Sequence, residues 1–197
     1  MHDSNTKKTK HLIIILSIIY FYGNCLSSEL DIKVSHPGDK FTLFVWQGWN
    51  EKIYLSDLGK NYAYWDDTGN AIVISTDEPN SFEELLKQIQ SGTFPKIDLF
   101  KLEQIFRKYA PEKKDLKLKI ETLSNQKSLS QTYIDERNSL EYKFFIKTQM
   151  IQFLYKGKQY KISFSSAPGR TKEEAVTNFD TAYKSVFKPM LITFHLN

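Results

Sequence analysis

The amino-acid sequence predicts an α+β domain built on an antiparallel β-sheet, and three observations carry that expectation. Segments of period-two alternation follow one another across short turns rich in Gly, Asn and Asp, which is the signature of hairpins. Helical periodicity is gathered into two blocks, one in the middle of the chain and one near its end, instead of alternating with every strand. Aromatic residues are plentiful, with 14 Phe and 11 Tyr, and such residues favour pleated, half-buried surfaces.

Taken in order, Leu30 to Val34 alternates and reads as a strand. His36-Pro37-Gly38-Asp39 reads as a turn in which Pro37 fixes φ and Gly38 supplies a positive φ. Phe41 to Trp46 reads as a second strand, broken by Gly48-Trp49-Asn50, and Ile53 to Leu55 as a short third one. Tyr62 to Trp65 and Ala71 to Ser75 flank Asp66-Asp67-Thr68-Gly69-Asn70 and form a hairpin. Its second arm is a continuous apolar run, which places it centrally with both faces covered.

Ser81-Phe82-Glu83-Glu84 is a capping box that opens a helix bearing Phe82, Leu85, Leu86 and Ile89 on one face, and Gly92 ends it. Asp98 caps a second helix in which Leu99, Leu102, Ile105, Phe106 and Tyr109 recur at helical spacing until Pro111. After a charged linker at 112–115, Leu116 to Leu123 alternates as a half-exposed strand, and Asn125 to Ser128 is a polar turn. Leu129 to Ile134 reads as a strand and Asp135 to Ser139 as a loop. Glu141 to Tyr155 is the longest strand-like run. Tyr142, Phe144 and Ile146 share one parity there, and Ile151, Phe153 and Tyr155 the other, so a bulge is expected near Thr148 to Met150. Lys156-Gly157-Lys158 turns the chain into the alternating Tyr160, Ile162 and Phe164. Thr171-Lys172-Glu173-Glu174 is a second capping box, followed by an amphipathic helix that carries Val176, Phe179, Tyr183, Val186 and Phe187 and stops at Pro189. Met190 to His195 reads as a last short strand.

Ahead of this domain, residues 1–24 read as an export signal. Lys7, Lys8 and Lys10 precede the apolar run Leu12 to Tyr22, which falls short of the roughly 20 residues of a comfortable membrane-spanning helix. Cys25 follows, in the sequence Tyr22-Gly23-Asn24-Cys25, which resembles the lipobox of bacterial lipoproteins. It is the single cysteine of the chain, so no intramolecular disulfide explains it. The expected organisation is a signal peptide at 1–24, a lipidated Cys25 with a short tether at 25–29, and one domain at 30–197. The alternatives are an uncleaved N-terminal anchor, or cleavage after Ser27 or Ser28 that discards the cysteine. Lipidation would tie the protein to the membrane of a bacterial envelope, facing the periplasm or the exterior.

The run from Phe153 to Pro168, with its hairpin at Lys156-Gly157-Lys158 and the Tyr160-Lys161-Ile162-Ser163-Phe164-Ser165 stretch, resembles the end of PsbP-like domains. The helix closing at Ser185-Val186-Phe187 fits the same pattern, and Val34-Ser35-His36-Pro37 with Trp46 or Trp49 is similar to the family's N-terminal half. The resemblance implies an α/β/α sandwich around an antiparallel sheet, no catalytic residues, and a role in binding proteins or assisting assemblies.

Functional signals in the residues themselves are few. Half of the formal net charge of +4 lies in the signal, where three lysines outweigh Asp3, and the nearly balanced remainder offers no electrostatic footprint for nucleic acid. Asp57, Asp66, Asp67, Asn70, Asp77 and Glu78 supply oxygen donors for a hard cation, although Asp-Asp-Thr-Gly-Asn serves equally as a turn. His36 and His195 fall short of the three or four ligands that zinc takes. No phosphate loop, dinucleotide fingerprint or nucleophile elbow appears, and Asp135-Glu136-Arg137 reads as a solvated loop. Trp46, Trp49, Tyr64 and Trp65 remain as a candidate partner patch if exposed, and as core if not.

The sequence therefore points to a non-enzymatic, lipid-anchored envelope module with an unidentified protein partner and no cofactor or metal. A small-ligand or lipid carrier with an apolar pocket between sheet and helices, and an envelope hydrolase, are the alternatives.

Overall fold

The computed structural model describes residues 32–56, 59–80, 82–95, 98–139 and 142–197. The signal, Cys25, the tether, Asp57 and the Ser81 cap lie outside the described residues. The strands are β1 (Ile32–His36), β2 (Phe41–Val45), β3 (Asn50–Ser56), β4 (Gly59–Trp65), β5 (Ala71–Asp77), β6 (Lys113–Leu123), β7 (Gln126–Asn138), β8 (Lys143–Tyr155), β9 (Lys158–Ser165) and β10 (His195–Leu196). The helices are α1 (Glu83–Ser91), α2 (Asp98–Tyr109), α3 (Lys172–Ala182) and α4 (Lys188–Ile192).

Seven strands form one antiparallel sheet in the order β3-β4-β5-β9-β8-β7-β6, and β1-β2-β10 form a small second sheet. One face of the large sheet packs on the small sheet and on the α3–α4 run. There Tyr62, Ile74, Phe153 and Ile162 are buried with Phe41, Leu43 and Phe187. The other face carries α1 and α2, with Leu86, Ile89 and Leu129 at the centre of a second cluster. The expected sandwich is present, with one correction. The layer opposite α1 and α2 is half helix and half sheet.

Period-two alternation explains both faces at once. Ile72 and Ile74 of β5 are fully buried against the small sheet, whereas Val73 between them is half-buried on the other side. The central position expected for this strand is met, although its second face is only partly covered.

Several local expectations are corrected. Gly38 is not the residue at positive φ in the first turn. Residues Pro37–Asp39 make a short 3-10 helix, and Lys40 takes the left-handed conformation at φ 56°. Asp98 is the first residue of α2, and its carboxylate pairs with Lys101 at 3.3 Å. Residues 135–138, expected as loop, continue β7 and pair with Lys143, Phe144, Phe145 and Ile146. The polar turn sits at Ser124-Asn125, both at positive φ, as a two-residue hairpin between β6 and β7.

No bulge interrupts β8, whose pairing with β7 runs unbroken from Asn138↔Lys143 to Leu129↔Gln152. The buried apolar residues Phe145, Ile151 and Phe153 keep one parity and face α3 and the small sheet, whereas Phe144 and Ile146 are only half-buried on the other face, so no switch of the buried side is needed. The bulge occurs instead in β6 between Lys114 and Lys117, where Asp115 has φ 52°.

Pro189 does not stop the last helix. Without an N–H it cannot bond to the Ser185 carbonyl, and the preceding turn at Tyr183–Phe187 widens to π geometry, with Lys188 N–H donating to the Tyr183 carbonyl. Helix then resumes to Ile192, so the last strand shrinks to His195–Leu196. At the start of α3, Thr171 Oγ1 accepts from the Glu174 N–H at 3.1 Å, as a capping box requires. The Glu174 carboxylate bonds to the Arg170 N–H at 2.8 Å, one residue earlier than the standard box.

Candidate functional site

The structure divides the four residues expected to form a patch. Tyr64 is 1% exposed, and its hydroxyl lies 2.9 Å from His36 Nε2 beneath the small sheet, so it belongs to the core. Trp65 follows it on β4 and alternates to the opposite face of the sheet, half-buried. Only Trp46 and Trp49 come together. They line a groove of about 590 Å³ with Gln47, Gly48, Ser185 and Val186. Gly48 turns this loop at φ 83°, the Trp49 N–H donates to the Trp46 carbonyl, and the Trp46 indole N–H donates to the Val186 carbonyl at 3.3 Å.

The acidic loop is spent on its own turn. One Asp66 carboxylate oxygen accepts from the Thr68 and Asn70 backbone N–H groups and the Thr68 hydroxyl, and the other accepts from the Asn70 amide. Among the described residues, no group of three or more His, Cys, Asp or Glu is placed to hold a metal ion. His36 packs at 4.0 Å against the Tyr62 ring, and burial lowers its pKa. His195 sits in β10, away from it.

The densest polar cluster was not anticipated. Asp39, 6% exposed, sits in the turn between β1 and β2 and points into the large sheet. Its carboxylate accepts from the Tyr62 hydroxyl, from Thr76 Oγ1 at 3.0 Å and from Lys158 Nζ at 2.8 Å, and Lys60 Nζ stands 3.6 Å away. Its carbonyl accepts from the Tyr160 hydroxyl at 2.7 Å. Burial pushes the carboxyl up, but the hydrogen bonds from Lys158, Tyr62 and Thr76 outweigh it and hold the pKa at about 2. Burial and the Asp39 charge together raise Tyr160 to about 12. Every donor in this cluster is engaged with Asp39, so it pins the small sheet onto β4, β5 and β9.

The two edges of the large sheet differ sharply. Along β6, Arg107 of α2 donates to the Leu116 carbonyl at 2.8 Å, Glu103 accepts from the Leu118 N–H at 3.2 Å, and the two side chains pair at 2.7 Å. An ion pair one helical turn long thus takes the place of a neighbouring strand. The Lys114–Lys117 bulge and the exposed Lys114, Lys117 and Lys119 add to this cover. By contrast, β3 is exposed along all seven residues and pairs only with β4 among the described strands. Ile53, Tyr54 and Leu55 are 47%, 41% and 81% exposed. The sequence marked Ile53 to Leu55 as a strand but gave no sign that it would lie at an open edge.

No protein-family model matches the chain, and no curated protein is similar to it. Solved structures show distant likeness. A crystal structure of a Bacteroides thetaiotaomicron protein is similar at 12% identity and a TM-score of 0.43, over 84% of this chain and 48% of that one, so this chain spans about half its length. LpqN of Mycobacterium tuberculosis, involved in cell envelope biogenesis, is similar at 12% identity and a TM-score of 0.41, over 84% of this chain and 90% of that one. Among the described residues, no helix is long and apolar enough to cross a membrane.

Proposed function

We propose that this chain is a non-enzymatic envelope module with a PsbP-like domain, anchored through a lipidated Cys25, that captures a protein partner by strand addition along β3. The observation that supports this reading is the open β3 edge, which presents unpaired backbone groups beside exposed Ile53 and Leu55 while the opposite edge is covered. An extended segment laid antiparallel on β3 would gain main-chain hydrogen bonds, and alternate side chains would meet Ile53 and Leu55 on one face and Tyr54 on the other. The polar cluster at Asp39 suits this role, because it spends its charges on holding the sheet rather than on chemistry.

The test is photo-cross-linking in cells. A photoreactive residue at Tyr54 should give one discrete adduct, the same residue at Lys117 on β6 should give none, and Leu55→Lys should remove the Tyr54 adduct. Equal labelling from both edges, or none from β3, would sink the proposal.

A second reading, a carrier of a small apolar ligand, is favoured by a cleft of about 330 Å³ between α1–α2 and the sheet, where Phe82, Phe106, Leu116 and Met150 meet Lys161 and Gln152. Saturable binding of a fluorescent fatty acid that Met150→Trp abolishes would establish it over strand capture.

A further inference from the structure

The end of the domain where the tether arrives is also where Trp46 and Trp49 lie. Ile32, the first residue of β1, pairs with Val45, the last of β2, and Trp46 follows directly. From Cys25 to Ile32 the chain can reach about 25 Å even when fully extended. If Cys25 carries the anchor, as proposed above, the surface that meets the lipid must lie within that reach of Ile32. The groove formed by Trp46, Gln47, Gly48, Trp49, Ser185 and Val186 lies there, and its two indoles are half-buried, packed on the core while still reaching the groove. Lys33 follows Ile32 on β1 and Lys184 precedes Ser185 in sequence; both are exposed, and neither pairs with a carboxylate among the described residues. Indole rings favour the membrane–water interface, where an apolar body meets a wet headgroup layer, and lysines beside them suit anionic headgroups.

We propose that the Trp46–Trp49 groove seats on the phospholipid surface and sets the domain's orientation on the membrane. The inference rests on the anchored reading above. Strand β3 begins at Asn50, one residue after Trp49, and runs about 20 Å to Ser56. Docking through the groove therefore carries the open edge away from the loop that touches lipid, with Leu55 near its far end.

The full chain is purified from membranes in detergent and reconstituted into vesicles of phosphatidylethanolamine and phosphatidylglycerol, with and without bromine on the acyl chains. In a Trp65→Phe background the emission comes from Trp46 and Trp49. Vesicles of either kind should blue-shift it and the brominated lipid should also quench it, and Trp49→Phe should remove most of that response. Gln47→Glu sits on the exposed loop and adds a charge that repels phosphatidylglycerol, so it should weaken quenching without unfolding the domain. Quenching present with Trp65 intact but lost in the Trp65→Phe background, no quenching at all, or a photoreactive Gln47 position that cross-links two copies would overturn the docking. Labelled palmitate on Cys25 is scored separately. Label without quenching removes the docking and leaves the anchor, whereas quenching without label removes the anchor and leaves the docking.

Discussion

Strands β3 and β6 close the same sheet, yet they are treated in opposite ways. The β6 edge is bonded by a helix-borne Glu103–Arg107 pair, bent by a bulge and lined with lysines. The β3 edge has no helix-borne cover and no bulge, carries Glu51 and Lys52 only at its start, and exposes Ile53 and Leu55. Unpaired edges invite association, and proteins ordinarily blunt them. A fold that covers, bends and charges one edge but leaves the other with only Glu51 and Lys52 at its start keeps the second open. What stands behind each edge also differs. Helices α1 and α2 back the β6 side, whereas the β3 side is held through β4 to the small sheet by the Asp39 cluster.

The largest expected effect comes from breaking the support of the open edge. Gly59 begins β4 at φ 151°, and a Cβ there would stand 2.4 Å from the Thr76 carbonyl oxygen and 2.6 Å from Asp77 Oδ1. Gly59→Ala should cost about 3 kcal/mol in urea unfolding, from combined strain and overlap.

Next is Asp39→Asn, expected to cost about 2 kcal/mol at neutral pH, because Lys158 and the Tyr62 hydroxyl lose their charged acceptor. The wild-type contribution has a defined pH window. The folded pKa of about 2 lies below the ordinary 3.8, so the stabilisation is full above 3.8 and is lost as pH falls toward about 2. Urea melts of wild type and Asp39→Asn should therefore converge across that interval, and a constant gap down to pH 2 would contradict the assignment.

Third, Leu55→Lys should convert the open edge into a defended one. Partner affinity measured by titration should fall at least about tenfold, a change of about 1.4 kcal/mol. Stability should stay within about 0.5 kcal/mol, since the side chain is 81% exposed.

The smallest effect opens the defended edge. Glu103→Ala with Arg107→Ala frees the Leu116 carbonyl and the Leu118 N–H, and should cost about 1 kcal/mol while making the protein associate as concentration rises, visible by light scattering. A double variant that stays monomeric would show that the lysines and the bulge suffice on their own.

Local chemistry was legible wherever a residue type is tied to a backbone conformation. Gly92 ends α1 in the left-handed region, and Lys156-Gly157 makes the tight turn between β8 and β9. Thr171 was readable as a cap because its partner lies three residues on. The failures share a cause. The bulge placed in β8 took the half-buried Phe144 and Ile146 for the core face that Phe145, Ile151 and Phe153 supply, and the stop at Pro189 assumed that the helix could not widen to accept it.

Of the candidate site, Trp46 and Trp49 were identified as residues but not as neighbours of Val186, 140 residues from Trp46 along the chain. Tyr64 and Trp65 look alike in sequence, and strand parity alone sends one into the core and the other to the opposite face.

By itself, then, the sequence determined the α+β class, the hairpins and most helix limits, because alternation, turn glycines and caps act over a few residues. The tertiary structure decided which strands became edges, that Asp39 would meet Lys158 across 119 residues, and that Glu103 and Arg107 would turn from a helical pair into the cover of a strand. Those outcomes depend on strand order and on the burial of charge beside distant partners, which no local pattern encodes.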